Sequence, residues 1–386
     1  MTMAKRRAIN IHTQSATLFV GHHVLCCEVD IIANFVISLH KAPNLSEVAE
    51  RWRTLEHRGR PSFFQSWSWL GCLAQERFPH PMLLVAQKEG VDVGLGLFNL
   101  GSSRFAPRTL WLGETGQRAY DAMYVEHNGF LLADGFEDCL QDCLQDCLRA
   151  ALPHRIVLSG VDDAHLNAAR GCGGVVHMTG TQSAPFVDLA ALPTGRDGVI
   201  ENLGSSTRAQ LRRSIRRYEQ SGPLELARAH SVESAMAMFA ELETLHQASW
   251  TARGKPGVFS NPVFRRFHTA LIAEAFPRSE IEMLRISAGN RLIGCLYHFR
   301  HGGHVLSYQS GFAPAEPHDK PGLVCHLLAV DDARSRGAVR YDFLAGTNRT
   351  KMAFANSSVG LHWLDVVSPW SARGIIKRLG LRRQPP

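Results

Sequence analysis

The sequence predicts an α/β chain of the α+β type, with two similar lobes in tandem, each a mixed, largely antiparallel sheet flanked by helices. Three observations lead there. At 386 residues the chain exceeds the roughly 250 residues at which a single hydrophobic core stops growing. Hydrophobic residues at 45% and charged residues at 20% are globular values, which argues against a disordered, collagen-like or membrane-embedded protein. Helices, a three-strand meander, a helix and a strand recur in the same order in both halves, as an internal duplication would leave them. The expected boundaries are an N-terminal extension at 1–42, a first lobe at 43–190, a second at 191–368 and a basic tail at 369–386.

Residues 1–42 show weak periodicity, with the pairs His22-His23 and Cys26-Cys27, and are assigned no role beyond a strand or extension. Asn44 opens a helix through Glu56, because Leu45, Val48, Ala49, Trp52 and Leu55 recur at helical spacing behind a capping side chain. Gly59 and Pro61 stop it. A second helix is expected over Phe63–Phe78. Strands at Met82–Lys88 and Val91–Asn99 flank the turn Glu89-Gly90 as a hairpin, and shorter extended pieces follow near Leu110 and Val125. A helix over 135–152 and a strand at Arg155–Ser159 complete the first half, and Pro185-Phe-Val-Asp-Leu189 reads as extended and turn-rich. The second half predicts helices at Ser206–Gln220, Val232–Trp250 and Asn261–Phe276. Strands at Ile281–Ser287, Arg291–Arg300 and His304–Ser310 come next, then a helix at Gly322–Arg336 and a strand at Arg340–Leu344.

The formal charge of +7 is concentrated in the run Arg208–Arg217 and the tail Lys377–Arg383, which suits an anionic ligand or a nucleic acid about equally. The nine cysteines lack paired spacing. Cys139, Cys143 and Cys147 share one helix face over about 12 Å, too long a span for one tetrahedral zinc with Zn–S bonds of about 2.3 Å, so they read as small buried residues and no metal is expected. Free thiols in this number favour a reducing cytoplasm. Basic Lys5-Arg6-Arg7 precedes an apolar stretch broken by Glu28 and Asp30, without a convincing cleavage site, and no segment offers about 18 uninterrupted apolar residues. Export and a membrane span are not expected.

Several constellations could carry chemistry. Lys320-Pro321-Gly322-Leu323 opens a helix after the strand ending at Gly311-Phe312. Pro suits a first helical turn, Gly admits a close ligand, and the free amides favour an anion such as a pyrophosphate; the plain alternative is an ordinary helix start. Asp342-Phe343-Leu344-Ala345-Gly346 through Lys351 places an acid at a strand end and a lysine after a glycine loop, fit to face a cleft or to be a satisfied turn beside a solvated lysine. Arg208, Arg212, Arg213, Arg216 and Arg217 lie along one broad helix face able to bind phosphates, or are simply solvated. A tRNA-binding helix would interleave stacking aromatics, and only Tyr218 is near. Tyr308 and His298 alternate with Gln309 and Tyr297 and are candidate acid/base groups, though each alone can be a packed residue. His246 and Trp250, at i and i+4, fit an ordinary helix face as well as a site. Phosphate-loop, zinc-hydrolase, serine-elbow and Cys-x-x-Cys signatures are absent from the sequence.

Taken together, Phe186-Val-Asp-Leu189, Ser205-Ser-Thr-Arg208 through Arg217, Trp250, Gly311-Phe312, Pro321-Gly322 and Asp342-Phe343-Leu344 with Gly346 and Lys351 resemble the acetyltransferase domain of the cellulose-biosynthesis-associated (CelD/BcsL-like) family. That family is itself similar to Fem-type aminoacyl transferases with two fused GNAT lobes. The resemblance covers about 180–356, and Phe64-Gln65-Ser66, Trp69 and Leu70 resemble the opening of the first lobe. It implies tandem GNAT-like lobes and acyl transfer from acetyl-CoA or another acyl-CoA, bound as substrate, to an amine of a small molecule or envelope precursor. Tyr308, Asp342 and His298 would then be catalytic, and Lys320, Gly322 and Leu323 would hold the pyrophosphate, although His318-Asp319-Lys320-Pro321-Gly322 replaces the usual Gly-rich loop. Lys351 would meet a substrate phosphate, with Trp250, Arg212 and Arg216 also binding substrate. Transfer of an aminoacyl group from tRNA, and non-catalytic binding of an anionic polysaccharide or lipid precursor, stand as alternatives.

Overall fold

The computed structural model describes residues 35–103, 106–121, 123–149, 155–316 and 318–369. The expected roles of His22-His23, Cys26-Cys27 and the tail cluster Lys377–Arg383 lie outside the described residues. The described residues form one compact unit.

The first half runs β1 (Val36–Lys41), α1 (Leu45–Glu56), α2 (Trp67–Arg77), β2 (Pro81–Lys88), β3 (Val91–Ser103), β4 (Ala106–Leu112), β5 (Leu131–Leu132), α3 (Cys139–Arg149), β6 (Arg155–Val161), α4 (Asp163–Gly171) and β7 (Val175–Asp188). After α5 (Gly195–Glu201) the plan repeats as α6 (Ser205–Glu219), β8 (Leu224–Arg228), α7 (Val232–Thr251), α8 (Pro262–Ala275), β9 (Ile281–Ala288), β10 (Arg291–His301), β11 (His304–Phe312), α9 (Pro321–Ser335), β12 (Arg340–Asp342), α10 (Arg349–Phe354) and β13 (Ser357–Val367).

One sheet contains these strands in the order β1-β2-β3-β4-β6-β13-β7-β12-β11-β10-β9-β8, with β5 beside β3. In each half an antiparallel run ends in a parallel pair, β4 with β6 and β11 with β12. The two last strands are exchanged: β7 of the first half pairs β12 of the second, while β13 pairs β6 of the first. The β7–β13 ladder then joins the two lobes at the middle of the sheet.

On one face a single core is common to both lobes, where Trp52, Phe63, Phe64 and Trp69 meet Phe239, Phe264, Phe267, Phe299 and Tyr308. Phe63 stacks on Phe299 at 4.2 Å and Trp69 meets Phe267 edge-on at 5.0 Å. Aromatic side chains bury about 150–250 Å² each, so this core binds the halves firmly. The other face carries two separate cores, one under α6 and α9 with Leu211, Tyr218, Val324 and Leu327, the other under α3 with Cys139, Cys143, Cys147 and Leu144. Cys139, Cys143 and Cys147 are thus buried and free.

Local chemistry explains where the elements depart from expectation. The single helix expected over Phe63–Phe78 is a short 3₁₀ turn at Phe63–Gln65 followed by α2, because Ser66 is extended and caps α2 by accepting from the Trp69 amide. The piece near Val125 is not a strand; His127 there has φ +49. Strand β7 was legible only at its end because most of Val175–Ser183 is exposed or half-buried, so it lacks apolar alternation. Backbone pairing with β13 specifies it instead.

Candidate functional site

The site begins where two parallel strands part. β11 and β12 are paired only over His304–Leu306 and Arg340–Asp342. β12 then ends and the chain turns through Leu344 at φ +62, whereas β11 continues to Phe312 beside β10. Beyond Leu306 no described strand covers the outer edge of β11. Tyr308 is the extra residue of a bulge, since Tyr297 faces Gln309 and His298 faces Ser307, and bulges re-aim side chains. The gap is a cleft of about 790 Å³ walled by β11, His326 of α9, the β12–α10 turn, and Glu114, Asp121 and Met123–Glu126 of the first half. A hollow of about 770 Å³ along α8 is lined by Phe259, Ser260, Thr269, Arg265, Arg266 and alanines and holds no acid/base pair.

The cleft is lined by charges of both signs, Glu114, Asp121 and Glu126 with Arg253, Arg349 and Lys351, and Glu126 lies close to Lys351. Burial pushes the Glu114 carboxyl up to about 7, against the hydrogen bond it accepts at 2.6 Å from the Ser159 hydroxyl. Burial also raises Asp121 and Glu126, the latter opposed by the Ala345 amide that donates to it. A carboxyl poised near neutrality in a cleft is fitted to take a proton from an ammonium ion. Lys351 Nζ donates to the carbonyls of Leu344 at 3.2 Å and Ala345 at 2.8 Å, and burial lowers its pKa despite Glu126.

Among the residues singled out in the sequence, Tyr308 and Lys351 share this cleft. The Tyr308 hydroxyl lies 3.2 Å from His268 Nε2, and burial raises its pKa strongly. Gly322 borders the cleft: a Cβ there would lie 3.4 Å from the ring of Phe312 and 3.9 Å from Thr350 Oγ1, both lining residues. Lys320 caps α9 in the left-handed region at φ +44. Its carbonyl accepts from the amides of Leu323 and Val324, and Pro321 has no N–H, so Gly322 carries the first-turn amide best placed for a ligand and the Leu323 amide is already engaged.

The others lie elsewhere. Asp342 faces a separate hollow of about 190 Å³ together with His127, His304 and Arg340. Burial alone would raise its carboxyl; His127, 3.2 Å away, and Arg340 overcome this and lower it, while its Oδ1 accepts from the Leu344 amide at 2.7 Å. It fixes the turn rather than lining the cleft. His298 is fully buried and meets Tyr341. Trp250 stacks on His246 at 5.6 Å; its near neighbour Arg253 reaches the cleft instead. The arginines of α6 do not act as one face. Arg208 donates to the Leu203 carbonyl and Arg217 approaches Asp319 at 3.9 Å, while Arg212, Arg213 and Arg216 are exposed.

Glu114, Asp121, Glu126 and His326 were missed in the sequence. Glu114 had a usable signal, since it follows the apolar strand Leu110–Leu112 and Gly113 just as Asp342 ends β12. Glu126 lies in irregular backbone, and only folding brings it to Ala345. Among the described residues, no group of three or more His, Cys, Asp or Glu is placed to hold a metal ion, and no helix is long and apolar enough to cross a membrane.

With this geometry in place, residues 205–352 match the family profile described as Acetyltransferase (GNAT) domain. That span contains β11, α9 and the β12–α10 turn. No curated protein sequence matches the chain. Among solved structures, the chain is similar to FemX at 9% identity, with 88% of this chain and 99% of that one covered and a TM-score of 0.57. A conserved protein of unknown function from Bacteroides thetaiotaomicron gives 8% identity, 86% and 100% coverage, and a TM-score of 0.52. The C-terminal domain of a protein described as a lysylphosphatidylglycerol synthetase, from Agrobacterium fabrum, gives 12%, 87% and 95%, and 0.50. At such identities the likeness is one of fold, a mixed sheet with flanking helices, and the GNAT-domain match belongs to residues 205–352.

Proposed function

We propose that the chain is an N-acyltransferase that moves an acyl group from acyl-CoA, with acetyl-CoA the first choice, to an amine held in the cleft between β11 and the β12–α10 turn. The observation that carries this reading is the uncovered edge of β11 running from the bulge at Tyr308 toward the start of α9, opposite a carboxyl that titrates near neutrality. The pyrophosphate would meet the Gly322 amide and the positive end of the α9 dipole, with Lys320 beside it. Arg212 and Arg216 supply exposed cations on α6, which is tied to the same region by Ser214 donating to the His318 carbonyl at 3.0 Å.

The chemistry then follows from position. Peptide N–H groups on the open edge of β11 polarise the thioester carbonyl, and such donors in a water-poor site are worth about 3 kcal/mol each. Glu114, with Asp121 and Glu126 beside it, draws in the acceptor's ammonium and takes its first proton. Tyr308 lines the same cleft with its hydroxyl held by buried His268, Lys351 and Arg349 meet an anionic part of the acceptor, and Trp250 contributes through the segment leading to Arg253. Asp342 acts at one remove by fixing the Leu344 turn. We place the lobes at 43–190 and 191–368 and infer a cytoplasmic enzyme acting on an envelope or polysaccharide precursor.

Thiol release from acetyl-CoA in the presence of a panel of amines tests this directly. Amine-dependent release supports the reading. Its absence with every acyl-CoA and amine, alongside tight binding of an anionic glycan or lipid, would favour a non-catalytic binder. A second reading, aminoacyl transfer from tRNA, draws on the FemX-like fold and the three exposed arginines of α6. Copurifying RNA with steeply salt-dependent binding would favour it.

A further inference from the structure

A chain of buried polar side chains runs from the cleft along the α9 face of the sheet, across β12 and β10 to β9. His326 on α9 lines the cleft. Its Nδ1 lies 3.0 Å from the Tyr341 hydroxyl, which lies 3.0 Å from His298 Nε2. His298 Nδ1, which has no hydrogen-bond partner among the described residues, faces Glu282 Oε2 at 3.6 Å, a charge-pairing distance longer than a hydrogen bond. All four are at least nine-tenths buried, with exposures of 8%, 0%, 0% and 4%. Arg228, Arg300 and Arg336 all donate to the other oxygen of Glu282, Oε1, while Asp332 takes the second branch of Arg228. Oε2 is thereby left to His298. A packed core needs none of this, because partly satisfied buried polar networks cost stability relative to apolar packing.

We propose that this chain is a proton relay in which His326 takes the second proton of the attacking amine and Tyr341 and His298 carry its charge to Glu282. The proposal rests on the acyltransferase reading. The Ser307 hydroxyl also donates to the Tyr341 oxygen, which has a second lone pair free for His326; with both imidazoles neutral the chain then has one polarity. The Glu282 carboxylate can only accept, so His298 carries its proton on Nδ1 and accepts from the Tyr341 hydroxyl at Nε2. Tyr341 oxygen in turn accepts from His326 Nδ1–H, and His326 Nε2 keeps a bare lone pair. The groups around His326 agree: Phe312, Phe343 and Phe354 surround its ring, and burial, with His298 and Lys351 adding to it, pushes its pKa down to about 3.

After Glu114 has removed the first proton, the neutral amine attacks the thioester carbon and the C–N bond forms. The nitrogen's proton passes to His326 Nε2, the Nδ1 proton of His326 to Tyr341 oxygen, and the Tyr341 hydroxyl proton to His298 Nε2. The positive charge then rests on His298 opposite Glu282 Oε2. As the C–S bond breaks, the departing sulfur takes the electron pair and receives the same proton back by the reverse sequence. Amine and thioester become amide and thiol with no proton gained or lost.

Two measurements test it. Nitrogen-15 spectra of the histidine side chains in the full-length protein should show Nδ1–H on both His326 and His298, and Nε2–H on His326 would overturn the relay whether or not the protein turns over acyl-CoA. In thiol-release assays Tyr341→Phe should bind acetyl-CoA within twofold of the parent while kcat falls about 100-fold, within the usual range for a lost proton-transfer partner. A Tyr341→Phe variant with the parent kcat from pH 6 to 9 would also overturn it. Failure of the parent to turn over any acyl-CoA counts against the acyltransferase reading, and the spectra then decide the relay by themselves.

Discussion

Glu114 shows how one side chain acquires a role from its surroundings. In water it would be ionised at neutral pH; here burial brings its carboxyl to about 7, and Ser159 keeps it from rising further. The base form is the useful one, so turnover should climb as pH rises through about 7. Glu114→Gln should abolish that rise and lower kcat about 100-fold, the customary size of a general-base contribution, as a pH–rate profile of both proteins would reveal. The sequence made some site residues legible and hid others for a physical reason. Tyr308 belongs to a strand whose spacing announces it, and Lys351 follows the conspicuous glycine loop after Asp342-Phe343-Leu344. Glu126 reaches the cleft from irregular backbone, and His326 sits on α9 as one more member of an apolar-looking run, so nothing in their neighbourhoods marks them. Asp342, conspicuous at its strand end, faces the other way because Arg340 and His127 claim its carboxylate.

At the scale of elements, the start of α9 bears most of the functional reading. Lys320 adopts φ +44 there, a region that non-glycine residues seldom occupy. This cap sets the helix end beside Phe312. Gly322 separates helix stability from ligand binding. An Asp at this position would find room for its Cβ, 3.4 Å from the nearest atom, and would favour the helix through the dipole by about 0.3–1 kcal/mol. It would also repel a pyrophosphate. Gly322→Asp should therefore keep or raise Tm while weakening acetyl-CoA binding at least tenfold, measured by thermal shift and titration on the same preparation. The long helices and the two meanders were readable because their apolar residues recur at periods of 3.6 and 2. The exposed stretch of β7 buries too little of its length to show such a period, an irregularity between Trp363 and Leu364 breaks the alternation of β13, and α10, at six residues, is too short for one.

For the whole molecule, the exchanged strands and the shared aromatic core make the lobes interdependent. A fragment of residues 191–386 would lack β6 and β7, leaving both edges of β13 and one edge of β12 unpaired, and would expose Phe267, Phe299 and Tyr308 where Phe63 and Trp69 now cover them. It should show no cooperative thermal transition, whereas the full chain should show one. Acid–base behaviour is also distributed over the whole fold. Burial raises Glu56, in the first lobe, to about 7 as it does Glu114. Each holds its proton more tightly folded than unfolded, so its stabilising contribution is full below about 4.5 and is lost as pH climbs to about 7. Buried histidines with lowered pKa values, His268 and His326 among them, act in the opposite sense below about 6.5. The test is therefore comparative: the paired Glu56→Gln and Glu114→Gln changes should raise Tm at pH 8 relative to Tm at pH 5, compared with the parent.

The central claim is that the opening between β11 and the β12–α10 turn, with the α9 start beside it, receives an acyl-CoA. Calorimetric titration of the full-length protein with acetyl-CoA addresses it most directly. Saturable binding of one acetyl-CoA per chain is the expected result, and absence of heat and of any thermal stabilisation with acetyl-CoA and longer acyl-CoAs alike would contradict it.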